Sequence, residues 1–188
     1  MNLPSVERTN LEGVLLIVPR RFGDDRGHFC ETYNRDAFVQ IGAAREFIQD
    51  NQSFSRHYAT VRGLHFQIPP FAQAKLVRVL RGAIFDVAVD IRRGSGSYGR
   101  AFGANLSAEN GRQLFVPEGF AHGFCTLEAN TEVLYKVNAP HSRDHERGLK
   151  WNDPALGIAW PIGENDAVIL ERDRNLPSLA VLPEYFRL

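Results

Sequence analysis

His65, in the run Arg62-Gly63-Leu64-His65-Phe66-Gln67, is the residue whose type and setting point most directly to chemistry. An imidazole titrates near neutral pH, so it can take up or release a proton under ordinary conditions. Strand alternation puts His65 and Gln67 on one face and Leu64 and Phe66 on the other. A polar ring on the inward face of a β-barrel is either a core histidine with satisfied hydrogen bonds or a base. Tyr135 falls on the face of Val133 and Val137, where a phenol needs a bonding partner or a catalytic use. Lys75 opens an apolar run; it is either an exposed strand-end lysine or a cation placed to offset the charge of an enolate. Asp173, within Glu171-Arg172-Asp173-Arg174, reads as a solvated turn or as a carboxylate that orients the His65 ring. Asp86 could assist His65 from its own strand. Arg26 and Glu31 are spaced to contact a phosphate and a hydroxyl or ring N–H, or to form a surface ion pair.

The elements that must position these groups are short β segments broken by glycine, proline and asparagine. Val14–Val18 is an apolar run, and residues 56–67 read as the strand entering the His65 site. Lys75–Leu80 and Ala83–Ile91, joined at Arg81-Gly82, read as a hairpin. In its second strand Phe85, Val87, Val89 and Ile91 share one face, and Asp86 and Asp90 share the other. Gly99–Leu106, Gln113–Val116, Ala121–Leu127 and Thr131–Val137 continue the series after a loop at Gly94–Ser97. Many short strands at near-regular spacing predict an all-β antiparallel sandwich or barrel. Asn34–Ile41 reads as a short helix capped by Asn34, and the tail from Asn165 as short helices wrapped on the barrel.

Composition narrows the class. The length of 188 residues fits one domain spanning 1–188, long enough for a full core. The formal net charge of zero supplies no global field for nucleic acid or an acidic membrane. No apolar run approaches bilayer length, and the N-terminus lacks the pattern of a signal peptide. Cys30 and Cys125 sit among apolar residues with no metal-type spacing, and read as reduced core thiols of a cytoplasmic protein.

Pro117-Glu118-Gly119-Phe120-Ala121-His122 has the PxGxxH form of the second cupin motif. The paired histidines that supply metal ligands in that family are missing, because His65 is followed by Phe66 and Gln67. Ligand count therefore argues against a metal site. The motif can equally shape a strand-entry turn, with His122 satisfied in the core.

Taken together the segments resemble the dTDP-4-dehydrorhamnose 3,5-epimerase family from about Gly13 to Pro183. The carrying motifs are Asp25-Arg26-Gly27 with Glu31, Gln49-Asp50-Asn51, Arg62-Gly63-Leu64-His65, Ala74-Lys75 leading to Phe85-Asp86-Val87, and Pro117 to Phe124. Tyr135-Lys136, His145-Glu146-Arg147-Gly148 and Trp151-Asn152-Asp153-Pro154 complete them. The resemblance implies a cupin-like jelly roll with a few short helices, mainly C-terminal. It also implies a homodimer without metal or cofactor that acts on a dTDP-4-keto-6-deoxy sugar. In this reading His65 is the base, Asp173 its partner, and Tyr135 the acid on the opposite face; Lys75 and His122 lie near the enolate oxygen. Arg26, Glu31, Gln49, Asn51, Arg62, Glu146 and Arg172 would contact nucleotide, phosphates or sugar. The chain departs from the family twice. His141 stands where many members carry a second aromatic, and Arg172 where lysine is common. The His141 position bears on substrate binding and on whether both C3 and C5 are epimerised. The alternatives are a single-carbon epimerase, a metal-dependent cupin enzyme and a non-catalytic sugar-binding module.

Overall fold

The structure, a computed structural model, describes residues 3–188. The chain opens with β1 (Ser5–Arg8) and β2 (Leu15–Val18), then a hairpin of β3 (Arg21–Asp24) and β4 (Gly27–Cys30). Helix α1 (Arg35–Gln40) follows, then β5 (Gln49–Ser55), β6 (Val61–Gln67), β7 (Lys75–Arg81) and β8 (Ala83–Asp90). Next come β9 (Arg92–Arg93), β10 (Ala101–Ser107), β11 (Gln113–Val116), β12 (Phe120–Thr126), β13 (Thr131–Val137) and β14 (Glu146–Gly148). The tail holds α2 (Glu171–Arg174), several single 3-10 turns and β15 (Phe186–Arg187).

Two antiparallel sheets make the body, as expected of an all-β cupin-like jelly roll. One has six strands in the order β1-β2-β11-β7-β13-β5, the other five in the order β10-β8-β12-β6-β14. The core between them is built from alternate residues: Leu16, Val77, Val79 and Val133 from the larger sheet meet Ile84, Ala88, Leu106 and Phe124 from the smaller. On the central strands many intervening residues are buried too, because each sheet carries an outer layer. Helix α1 sets Phe38 on Leu15, Ile17, Leu76 and Phe115. The tail sets Leu149, Leu156 and Leu182 on Leu64, Phe66, Val87, Val89 and Ile91. A strand buried on both faces reads as a near-continuous apolar run, as β8 does.

Helix α1 begins as expected, with the Asn34 side chain accepting from the N–H groups of Asp36 and Ala37. The tail forms short helical turns, also as expected. Three expectations fail. Lys75–Leu80 and Ala83–Ile91 are not a hairpin: β7 and β8 belong to different sheets, and the chain turns the corner at Gly82, whose φ of +75° disfavours a side chain. The strand anticipated from Arg56 begins only at Val61, after a break at Ala59, where φ is positive. Cys30 lies on the exposed β3–β4 hairpin rather than in the core, whereas Cys125 is buried and burial pushes its thiol up to about 12.

Candidate active site

Strand β6 holds the centre of the site and departs from regular pairing there. Against β12, His65 stands opposite His122 and Arg62 opposite Phe124, so three steps on β6 match two on β12. The extra residue is a β-bulge at Gly63, whose φ is +113°. A regular strand would send Arg62 and His65 to opposite faces. With the bulge, both line the cavity between the sheets, while Leu64 and Phe66 turn to the outer core.

The cavity has a volume of about 650 Å³ and takes walls from both sheets and the tail. His65 Nε2 lies 2.9 Å from Asp173 Oδ1. Asp173 reaches it because Val168 bridges to Thr60 and seats α2 beside β6. Burial alone would raise the Asp173 carboxyl. The His65 ring, the Gly63 N–H and Arg172 outweigh it and hold the group below the usual carboxylate range. The sequence-level pairing of Asp173 with His65 is therefore what the fold builds.

Lys75 and Tyr135 enter from the facing sheet. Lys75 is on the side of Val77 and Val79, and its ammonium donates to the His65 carbonyl at 3.3 Å. Burial lowers the Lys75 pKa to about 8, against the opposing pull of Asp86 and Glu146. Burial raises the Tyr135 phenol, which stays protonated at neutral pH and makes no hydrogen bond among the described residues.

Asp86 does not assist His65. Its Oδ1 lies 2.8 Å from His122 Nε2, giving a second, more deeply buried histidine–carboxylate pair. Sequence reasoning missed this pair, although Asp86 shares the parity of the interior residues Ile84 and Ala88. The signal needed was that parity combined with the β8–β12 register, in which Ala88 faces His122.

At the mouth, Glu146 joins His141 at 3.3 Å and Arg172 at 3.5 Å. Arg62 is braced by Ser55 Oγ and the Phe54 carbonyl. Gln49 donates to Asn51, and both line a side recess shared with His65, Lys75 and Tyr135. Gln67 ties the rim together, donating to the carbonyls of Phe71 and Pro140 and accepting from Ser142. Arg26 and Glu31 are not brought in. Arg26 is exposed and paired with Asp24 rather than Glu31, and Glu31 borders a separate recess with Phe22 and Phe29.

A base backed by a carboxylate, a phenol from the other sheet and a buried ammonium can abstract a proton next to a carbonyl, hold the enolate and return a proton from the far side. A sequence model of the dTDP-4-dehydrorhamnose 3,5-epimerases matches residues 8–181. The dTDP-4-dehydrorhamnose 3,5-epimerase of Sinorhizobium fredii is 56% identical over 174 residues, covering 93% of this chain and 89% of the relative. The crystal structure of the Bacillus anthracis enzyme of that name, with TDP and PPi bound, matches with a TM-score of 0.89 at 48% identity, covering 93% of this chain and 99% of that one. A Legionella pneumophila 3,5-epimerase in complex with dTDP-4-keto-L-rhamnose matches with a TM-score of 0.92 at 36% identity over 98% of each chain.

Proposed function

The chain belongs to the dTDP-4-dehydrorhamnose 3,5-epimerase family, and on that basis we propose how its residues divide the work. The reaction is the epimerisation of dTDP-4-dehydro-6-deoxy-D-glucose at C3 and C5 to dTDP-4-dehydro-L-rhamnose, an isomerase activity of dTDP-rhamnose biosynthesis. It preserves oxidation state, so its balance requires no redox cofactor.

His65 takes the proton next to the 4-keto group, and the electron pair moves onto the ketone oxygen. Asp173 orients the ring and stabilises the imidazolium that forms. Lys75 and His122 sit beside the enolate oxygen, and Tyr135 delivers a proton to the opposite face of the carbon. Solvent then reprotonates Tyr135 and takes the proton from His65. Arg62 and Arg172 suit the diphosphate, whose oxygens match planar guanidinium groups. Gln49, Asn51, His141 and Glu146 serve sugar and nucleoside. The observation that carries this division is the placement of the His65–Asp173 pair and Tyr135 on one cavity from different sheets.

We extend the proposal to a homodimer of single-domain chains residing in the cytoplasm. The free thiols favour a reducing compartment, and no helix among the described residues is long and apolar enough to cross a membrane. Arg26 and Glu31 stand on a hairpin that carries the exposed Phe22 and Phe29 and lies outside the cavity lining of its own chain. A second copy would give that hairpin a place to pack and could complete the nucleotide site.

The test is proton NMR of dTDP-4-keto-6-deoxyglucose with the protein in deuterated water. Signals at C3 and C5 should both disappear, and His65→Ala should slow both losses at least ~10²-fold while staying folded. Exchange at one carbon alone would establish a single-carbon epimerase. Full exchange in His65→Ala would remove His65 as the base.

A further inference from the structure

Asp86 is completely buried, and one of its carboxylate oxygens has no hydrogen-bond partner. Buried acceptors are nearly always bonded, and a buried carboxylate left half-satisfied is costly. Oδ1 is engaged by His122 Nε2; Oδ2 is the orphan. Lys75 is the partly buried cation on which Asp86 acts, and among the described residues its ammonium has only the long hydrogen bond to the His65 carbonyl. An under-partnered carboxylate behind His122 and an under-partnered ammonium in the cavity that His122 lines thus act on one another.

Building on the epimerase reading, we propose that Asp86 is a positioning residue of the enolate site, fixing the His122 ring through one oxygen and serving through the other as counter-charge to the Lys75 ammonium. With the Nε2–H of His122 donating to Asp86 Oδ1, the Nδ1 edge of the ring is the edge left for the cavity. With Asp86 ionised, Lys75 keeps its proton in a buried site, where it can stabilise negative charge on the ketone oxygen. Of the other groups facing Lys75, Glu146 also favours its charged form, but both Glu146 oxygens are already engaged. His65 and Arg62 come from β6, His122 from β12 and Tyr135 from β13, none of them a carboxylate. The segment before β14 adds His141 and Arg143; Asp173 is engaged by His65 and Arg172, and Glu146 by His141 and Arg172. Among the described residues, Asp86 is the carboxylate acting on Lys75 that has an unpartnered oxygen.

The experiment compares wild type and Asp86→Asn for exchange at C3 and C5 and for turnover across pH, with thermal melts to verify folding. Activity requires protonated Lys75, so the wild-type rate should fall as pH rises through about 8. Removing the negative charge lowers the Lys75 pKa, so in Asp86→Asn this fall should move at least roughly one unit toward acid. kcat at neutral pH should drop roughly 10²-fold with KM little changed. A lower kcat with an unmoved pH profile would overturn the assignment, since a purely structural role predicts that. Nitrogen-15 NMR of His122 in the wild-type protein gives a second reading that does not depend on the variant folding. A proton on Nε2 between pH 6 and 8 supports the assignment, and a ring protonated only at Nδ1 overturns it. Wild-type protein without exchange at either carbon would overturn the epimerase reading and this assignment together. Normal wild-type exchange with an unshifted variant would overturn the assignment alone.

Discussion

The two histidine–carboxylate pairs use the same ring nitrogen but differ in exposure, and that difference divides their roles. The His65 side chain is 24% exposed and that of His122 is 7% exposed. A base must meet its carbon, so the more accessible ring suits proton transfer and the recessed one suits a wall. Tyr135 completes the set as a group that burial keeps protonated, which is what an acid needs before it acts. Tyr135→Phe separates the half-reactions: it keeps the ring that packs against the inter-sheet core and removes only the hydroxyl. We expect proton loss at the substrate carbons to continue while inverted product falls ~10²-fold or more. Deuterium wash-in measured alongside product formation checks this, and equal loss of both would place Tyr135 on the abstraction step instead.

Among the elements, the bulge in β6 matters most, because it turns Arg62 and His65 to the same side. A Cβ added at Gly63 would come within 2.7 Å of both the Gly123 Cα and the His122 carbonyl, at a φ of +113°. Neither backbone atom can step aside without moving β12. Gly63→Ala should therefore lose stability on the order of 3 kcal/mol, read as a lower urea midpoint, and lose activity in any fraction that folds. The same bulge shows what was legible in the chain. Alternation around His65 and Tyr135 is local and was readable, as was the Asn34 cap. The inward turn of Arg62 was not, because an inserted residue breaks the parity on which such reading depends. The apparent hairpin at Arg81-Gly82 failed for a related reason: a glycine turn between two strands looks the same whether they pair or part into separate sheets. The Asp173–His65 contact joins residues 108 apart, and no spacing rule reaches that far.

For the whole molecule, the open question is how the β3–β4 hairpin is used. Phe29 is 70% exposed and Phe22 is 40% exposed on a two-stranded ribbon outside both main sheets. Such ribbons are marginal alone, and a symmetric copy is the commonest cover. On the proposed dimer, Phe29→Glu should shift sedimentation to that of the 21.2 kDa chain and weaken turnover in parallel. A monomer with full activity would mean that one chain holds a complete site. The tail layer over the five-stranded sheet has a consequence of a different kind, in time. The base at His65 is made early, and its carboxylate at Asp173 lies 108 residues later. At roughly 5–20 residues per second, a ribosome needs about 5–20 s to span that interval. Until then the nascent chain carries His65 without its carboxylate, so the proposed catalytic pair can form only after Asp173 has been made.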